Sequence, residues 1–164
     1  MPESYRQIAH PFAPVWDEHS RVLVLGTFPS VKSRELGFYY GHPQNRFWRV
    51  LGAVFGEEPP LAVAQKRAML LRRGVAVWDV LERCDILGSS DQSICGAVPN
   101  DIAGLLARAG MLRVYLNGQK AGALYHRYCE AACGVSGIIL PSTSPANAAW
   151  TLERLQERWQ VIGV

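Results

Sequence analysis

The chain has 164 residues, of which 49% are hydrophobic and 19% are charged, a composition that excludes an intrinsically disordered protein and suffices for one buried core. No apolar run approaches the ~20 residues of a membrane span, and the N-terminus lacks the basic and apolar regions of a secretory signal. A net charge of +3 fits either a nucleic-acid partner or an ordinary solvated surface. We therefore expect a cytoplasmic protein with no membrane association.

Four cysteines are spread over the second half of the chain, at Cys84, Cys95, Cys129 and Cys133. The sequence contains no CxxC motif, and no histidine follows these cysteines at the spacing of a zinc finger. In a cytoplasmic protein such thiols are normally reduced. We expect free cysteines and no metal site.

The first third of the chain predicts one strand and one helix between irregular segments. Residues 1–20 carry three prolines and little periodicity, which indicates an irregular lead-in over the surface. Residues 21–25 form a short apolar run that is typical of a strand buried on both faces. Residues 31–43 are polar and interrupted by Gly and Pro, so we expect a loop. From Gln44 to Gly56, apolar residues recur at helical spacing.

The middle of the chain predicts a helix, a strand, a long loop and a second helix. Residues 61–73 have helical periodicity, and residues 75–78 are a second apolar run. Residues 82–98 show no clear period and contain Gly, Ser and Pro, so they predict a long loop of the kind that is often functional. Residues 101–109 predict a helix that ends at Gly110.

The last third repeats the alternation of strand and helix. Strands are predicted at 114–116 and 138–140, and helices at 119–132 and 146–159. This order predicts an α/β fold with three αβα layers around a central four-stranded parallel sheet. No repeat or linker divides the chain, so residues 1–164 are expected to form a single domain.

Polar segments follow the predicted strands, and the carboxyl ends of parallel strands meet at one edge of a sheet. These segments are Gly26–Ser30 (GTFPS), Asp79, Asn117–Gly118 and Pro141–Ser144 (PSTS). Ligands of open α/β sheets bind at this edge. GTFPS has neither the Walker pattern nor the dinucleotide-binding pattern, so neither class of nucleotide site is indicated.

Four motifs in order give the chain a resemblance to a known family. GTFPS, YYGHPQNRFW (39–48), GVAVWDVL (74–81) and LPSTSPAN (140–147) are together similar to the uracil-DNA glycosylase superfamily. The combination is most like the hypoxanthine (deoxyinosine) DNA glycosylase branch, and the HPxNRFW segment resembles the mismatch-specific uracil and thymine glycosylases. The resemblance covers roughly residues 20–160. It implies a monomeric repair enzyme that removes a deaminated base from DNA and needs no cofactor.

The resemblance assigns the catalytic role to Asn45. Mismatch-specific relatives hold the attacking water with an amide in the first motif, where this chain has Phe28. The hypoxanthine branch implies that an Asn of the HPxNRFW segment orients the water, and here that residue is Asn45. The alternative is that Asn45 only caps a helix. The remaining GTFPS residues, Gly26, Thr27, Pro29 and Ser30, are expected to form the pocket floor with Phe28.

Three further side chains are expected to bind the flipped base. The resemblance implies that Tyr40 stacks on the base, although it also fits a partly buried loop aromatic. His42 is a donor to the base or to a phosphate, or it braces its loop. Asp79 follows the second strand, where classical uracil glycosylases read the base; its carboxylate accepts the N1–H of hypoxanthine or caps the strand end.

The LPSTSPAN segment is expected to contact DNA. The resemblance implies that Ser142, Thr143 and Ser144 enter the minor groove, although the same residues fit a helix start. Relatives often use a bulky residue of this loop as a wedge that fills the gap left by the flipped base. The matching position here is near Ala146, which is small, so Asn147 is the alternative wedge. The chain's three lysines lie outside the motifs, which predicts a monofunctional glycosylase that leaves an abasic site.

Two other functions remain open from the sequence. One is a mismatch-specific uracil or thymine glycosylase. The other is a non-catalytic nucleotide- or nucleic-acid-binding module, which Phe28 favours because it replaces a catalytic amide. An esterase-like hydrolase is disfavoured because the chain has no GxSxG motif.

Overall fold

The computed structural model describes residues 4–111 and 113–163. The strands are β1 Arg6–Ala9, β2 Val22–Gly26, β3 Val75–Asp79, β4 Leu81–Ile86, β5 Cys95–Pro99, β6 Arg113–Asn117 and β7 Ile138–Leu140. The helices are α1 Val31–Leu36, α2 Phe47–Phe55, α3 Val63–Arg73, α4 Ile102–Ala109, α5 Gln119–Tyr128, α6 Glu130–Cys133 and α7 Leu152–Trp159. Short 3₁₀ turns occupy Asp91–Ser93 and Gln160–Gly163.

The centre of the fold is a four-stranded parallel sheet in the order β3-β2-β6-β7. Every residue of β2 is buried, as its unbroken apolar run predicts for a strand covered on both faces. Leu23 and Leu25 pack into one hydrophobic cluster, and Val22 and Val24 pack into another on the opposite face. The predicted three-layer architecture with four parallel strands is confirmed.

Helices cover the two faces of this sheet. One cluster includes apolar residues of α4 and α5, such as Leu105 and Leu124. The other includes residues of α2, α3 and α7, such as Leu51, Leu70 and Trp159. Glycines in the left-handed conformation end α2, α3 and α4, as their sequence positions predict. No helix within the described residues is long and apolar enough to cross a bilayer.

A second sheet corrects two predictions. Residues 82–98 are not one long loop, because they contain most of β4 and the strand β5. Residues 1–20 are not wholly irregular, because β1 pairs with β4 in an antiparallel sheet of order β1-β4-β5. Register shifts interrupt the β4–β5 pairing, so its alternation is weak in the sequence. The pairing with β1 joins segments far apart in the chain, which local pattern cannot reveal.

One loop prediction and two helix predictions also require correction. Residues 31–43 contain the short helix α1, which the Ser30 side chain caps by accepting the N–H of Ser33. The helix predicted over 119–132 is divided at Cys129 into α5 and α6. The last helix begins at Leu152 rather than at 146, because the Thr151 side chain caps it. Residues 146–150 instead form turns that continue the LPSTSPAN loop and lie outside any helix.

Candidate active site

A cavity of about 500 Å³ opens at the carboxyl edge of the parallel sheet. Of the residues predicted for the site, only Asn147 does not line it; the others are Gly26, Thr27, Phe28, Pro29, Ser30, Tyr40, His42, Asn45, Asp79, Ser142, Thr143, Ser144 and Ala146. Asn117 and the segment 89–92 line it as well. The structure therefore brings the four motifs to one place.

Gly26 forms the floor because its missing side chain lets two polar groups approach. It is the last residue of β2 and pairs with Asp79 at the end of β3. A methyl group built on Gly26 would lie 2.5 Å from Asp79 Oδ1 and 3.0 Å from Tyr40 Oη. A larger residue would therefore displace both groups. This contact explains why the first motif begins with glycine.

Asp79 is a buried carboxylate whose partner was not predicted. Its exposed fraction is 3%, and its Oδ2 lies 2.8 Å from His10 Nε2. Its backbone carbonyl accepts a hydrogen bond of 2.9 Å from Asn100 Nδ2. His10 follows β1, in the segment that the sequence predicts to be irregular. No local signal in the sequence connects it with Asp79.

Tyr40 combines a strained backbone with a buried hydroxyl. Its φ of +52° lies in the left-handed region, which a tyrosine adopts rarely. Its ring stacks on Phe47 with 3.9 Å between centroids, so a base can stack only on the other face. Burial, followed by the negative charge of Asp79, raises the pKa of the phenol, which keeps it a donor. Its buried Oη makes no hydrogen bond of regular geometry to the described residues, and the Asn117 side chain is the polar group close enough to lower the pKa in part.

Asn45, Thr143 and Asn117 form a hydrogen-bonded network beside the cavity. Asn45 Oδ1 accepts from the Thr143 hydroxyl and from the first N–H of α2, at Phe47, both at 2.9 Å. Asn117 Nδ2 donates to Thr143 Oγ1, and Asn117 Oδ1 accepts from the Thr143 N–H, both at 3.0 Å. Asn45 thus accepts the first N–H of α2 from the position before the N-cap residue, Arg46, and lines the cavity at once.

This network determines which atoms Asn45 offers to a ligand. Two donors already engage its oxygen, whereas its Nδ2 makes no hydrogen bond to the residues that the structure describes. Thr143 is fully buried, which gives it a role inside the protein. DNA contact stays a prediction for this segment, and its more exposed members Ser142, Ser144 and Ala146 are better placed for it than Thr143.

Arg46 fixes the LPSTSPAN loop and was missed by the sequence analysis. Its backbone N–H donates to the Thr143 carbonyl at 3.0 Å. Its guanidinium donates to the carbonyls of Ser144 and Asn147, each at 3.0 Å, and to that of Trp150. The sequence shows only that this arginine lies inside the second motif, and it does not indicate which groups the arginine binds. The second and fourth motifs are thus joined by side chain and backbone.

Asn147 and His42 are both held within their own loops. Asn147 Nδ2 donates to the Ser142 carbonyl at 3.0 Å, whereas Ala146 is exposed. His42 Nδ1 accepts the Gln44 N–H at 3.1 Å, so its proton lies on Nε2. His42 braces its loop and still lines the cavity. Both interpretations of His42 therefore remain open.

The segment 89–92, between β4 and β5, supplies a carboxylate that was not predicted. Asp91 is exposed as a residue, but its carboxyl group lies at the cavity beside the Thr27 hydroxyl. Burial of that group, followed by the negative charge of Asp79, raises its pKa to about 6. The only sequence signal was the general expectation that this loop is functional.

The chemistry of the cavity is that of a polar recognition site. It offers a buried carboxylate, a second carboxylate with a raised pKa, amide and phenol donors, and one open aromatic face. Within residues 4–111 and 113–163, no three His, Cys, Asp or Glu side chains are grouped to hold a metal ion. The expectation of a site without metal or cofactor stays a prediction.

Comparison with protein families matches residues 13–163 to the model of the uracil DNA glycosylase superfamily. Two curated relatives are both named hypoxanthine DNA glycosylase. The one from Methanosarcina acetivorans is 34% identical over 92% of this chain and 95% of its own length. The one from Methanosarcina barkeri is 36% identical over 83% of this chain and 86% of its own length.

A solved structure has the same fold as this chain. It is a solution NMR structure from Methanosarcina acetivorans, described as that of a uracil DNA glycosylase. The two chains are 33% identical and superpose with a TM-score of 0.80, over 93% of this chain and 94% of the other.

Proposed function

Because the chain belongs to the uracil DNA glycosylase superfamily, we propose that it is a monofunctional DNA glycosylase for deoxyinosine. It hydrolyses the N-glycosidic bond, releases hypoxanthine and leaves an abasic site in DNA. The assignment to deoxyinosine follows the two curated relatives, and the observation in the cavity that supports it is Asp79 Oδ1, a buried carboxylate oxygen on the floor. A base with a ring N–H is the partner that such an acceptor requires.

The cavity suits one flipped base. Its volume of about 500 Å³ is within the usual range for small-ligand sites. The open face of Tyr40 provides a stacking surface, and Asp79 accepts the N1–H of hypoxanthine. The Tyr40 hydroxyl and Asn45 Nδ2 are proposed to donate hydrogen bonds to the acceptors of the base. Phe28 lies where mismatch-specific relatives hold a water, which disfavours efficient removal of uracil or thymine.

Hydrolysis follows from the groups around the base. The bond between C1′ and the base nitrogen breaks and its electron pair goes to the base, while a water oxygen bonds to C1′. The water loses one proton to solvent and the departed base takes one up, so neutral hypoxanthine and an abasic sugar result. Asn45 is proposed to hold this water. Because donors already engage its oxygen, Asn45 contacts the water through Nδ2 or exchanges one existing bond. A weakly activated water suits a dissociative reaction, in which the base leaves before the water attacks.

Contacts with the duplex are assigned to the LPSTSPAN loop. Ala146 is exposed and Ser144 is half-buried, and both border the cavity. We propose that they face the minor groove next to the gap left by the base. The short Ala146 side chain favours a weak wedge, so the locally fixed loop backbone carries most of this contact.

A panel of damaged duplexes tests the function. Duplexes containing a single inosine, uracil, xanthine or ethenocytosine are incubated with the protein, and released bases are measured by chromatography. We expect hypoxanthine release, followed by strand cleavage only after alkali. Release of uracil alone would move the chain to the uracil branch. Tight binding of the inosine duplex without any base release would instead establish a non-catalytic binding module.

A further inference from the structure

The N-terminal segment contributes a buried side chain to the floor of the cavity. His10 follows β1, and its backbone N–H donates to the Glu82 carbonyl of β4 at 2.6 Å. Only 3% of its side chain is exposed. Its ring lies among those of Phe12, Phe28 and Tyr39, with centroids 4.7, 6.0 and 5.9 Å away. The antiparallel sheet therefore carries an imidazole to the parallel sheet's active edge.

The hydrogen bonds of His10 define its proton position. Nδ1 accepts the Phe12 N–H at 3.4 Å, so the ring proton lies on Nε2. Nε2 lies 2.8 Å from Asp79 Oδ2 and donates to it. This contact is dry, because the two side chains are 3% and 5% exposed. One oxygen of Asp79 is thereby occupied by a donor from behind the cavity.

The other oxygen of Asp79 is directed to the cavity. Oδ1 lies over Gly26, next to the Tyr40 hydroxyl. The two oxygens of a carboxylate are equivalent acceptors, and the His10 contact fixes the position and the plane in which this group faces the base. Hypoxanthine carries a proton on N1, whereas adenine carries a lone pair there. A fixed acceptor in this position attracts the first base and repels the second.

We propose that His10 is a positioning residue for base selection, which fixes the Asp79 carboxylate so that Oδ1 accepts N1–H and rejects an N1 lone pair. This inference rests on the proposed glycosylase function and adds the residue that orients its base reader. Adenine is the normal base from which hypoxanthine forms by deamination. Discrimination at N1 is therefore the discrimination that a repair enzyme for deoxyinosine needs.

The first experiment compares two bases in two proteins. Single-turnover base release is measured on duplexes with one deoxyinosine or one deoxynebularine, whose unsubstituted purine has a lone pair at N1. His10→Phe removes the donor and keeps an aromatic ring, and His10→Gln keeps an N–H donor. We expect His10→Phe to slow hypoxanthine release by about tenfold or more and to change purine release by less than about threefold. His10→Gln should restore most of the selectivity.

The second experiment uses the pair with Asp79. In Asp79→Asn, an intact His10 donor holds the amide oxygen and turns the amide N–H toward the cavity. Selectivity should then invert in favour of the purine. In the His10→Phe, Asp79→Asn double variant the amide is free to rotate, so the inversion should disappear. This double variant also avoids the unpaired buried carboxylate that threatens folding of His10→Phe.

The outcomes separate the inference from the function on which it rests. Equal loss of both activities in His10→Phe, or an inversion in Asp79→Asn that persists without His10, would overturn the positioning role. Failure of the unaltered protein to release hypoxanthine would overturn the proposed function, and this inference with it. Binding of a duplex with an abasic-site analogue, together with thermal unfolding, checks that each variant is folded.

Discussion

The cavity has two walls that are held in different ways. The hydrogen-bonded wall, defined by Asn45, Arg46, Asn117 and Thr143, is joined by side-chain and backbone bonds across the second and fourth motifs. The loop wall, Ser89–Gln92, is bound to the neighbouring segment 29–34 by the hydrogen bond from Val31 N–H to the Ser89 hydroxyl, and Arg34 donates to the carbonyl of Gly88, just before the wall.

The two walls differ in what they contribute, because one holds groups in fixed positions and the other supplies a negative charge. In the hydrogen-bonded wall, each of the four side chains makes at least one hydrogen bond, although Asn45 Nδ2 and Arg46 Nε make none to the described residues, and these bonds restrict the positions of the groups as catalysis requires. The loop wall contributes a carboxylate at the expense of stability, since burial raises the pKa of Asp91. We infer that the first wall positions the reacting groups and that the second tunes the electrostatics.

The largest expected effect is that of Arg46→Ala. This change removes the guanidinium donor from the carbonyls of Ser144, Asn147 and Trp150, of which the first two keep a backbone N–H donor. We expect the free energy of unfolding to fall by about 3 kcal/mol, together with loss of base release. Urea denaturation measures the stability. The control is Arg49→Ala, which removes an exposed arginine from the same helix; equal effects of the two changes would contradict the role of Arg46.

Asn45→Ala tests the catalytic prediction itself. Loss of the amide should slow single-turnover release of hypoxanthine by about a hundredfold, the scale for removal of one catalytic donor. Asn45→Asp keeps the oxygens that cap α2 but removes the amide N–H, so it isolates the role of Nδ2. An unchanged rate in Asn45→Ala would exclude this residue as the holder of the water.

Thr143→Val removes one hydroxyl from the hydrogen-bonded wall at nearly constant volume. Asn45 Oδ1 and Asn117 Nδ2 both lose a partner. We expect a loss of about 1.5 kcal/mol in unfolding free energy and a decrease of several-fold in base release. Thr143→Ser retains the hydroxyl and should behave almost like the unaltered protein. A stability loss without any change in rate would mean that Asn45 is positioned independently of Thr143.

Asp91→Asn tests the loop wall and should have the smallest effect. The folded protein raises the pKa of Asp91 to about 6, above the usual ~4. The folded state therefore binds its proton more tightly, and stability falls as pH rises from about 4 to about 6. The asparagine lacks this penalty, so the variant should be more stable above pH 6 by under about 1 kcal/mol.

Unfolding measured at several pH values tests the direction of this stability change. The advantage of Asp91→Asn over the unaltered protein should vanish below about pH 4, where both states bind the proton. Thermal unfolding at pH 4, 6 and 8 measures it. Glu58→Gln, which removes an exposed carboxylate outside the cavity, is the control. A stability difference that does not depend on pH would contradict the raised pKa of Asp91.

The sequence by itself determined the parallel sheet and the edge at which the motifs meet. Each strand of that sheet is an apolar run followed by a polar turn, so composition and order suffice to predict it. The same reasoning placed Asp79 at that edge, whereas Asn45 was added to the site only by the resemblance to the superfamily. It could not choose between catalysis and capping for Asn45, because both roles use the same residue type.

Only the tertiary structure decided how the site residues are partnered. His10 and Asp79 are 69 positions apart, and the imidazole reaches the carboxylate because β1 pairs with β4. Arg46 likewise depends on carbonyls about a hundred residues away, and Asp91 on the strands that bring its loop to the cavity. Local periodicity records which face of an element is buried, whereas these contacts depend on long-range pairing that leaves no periodic signal.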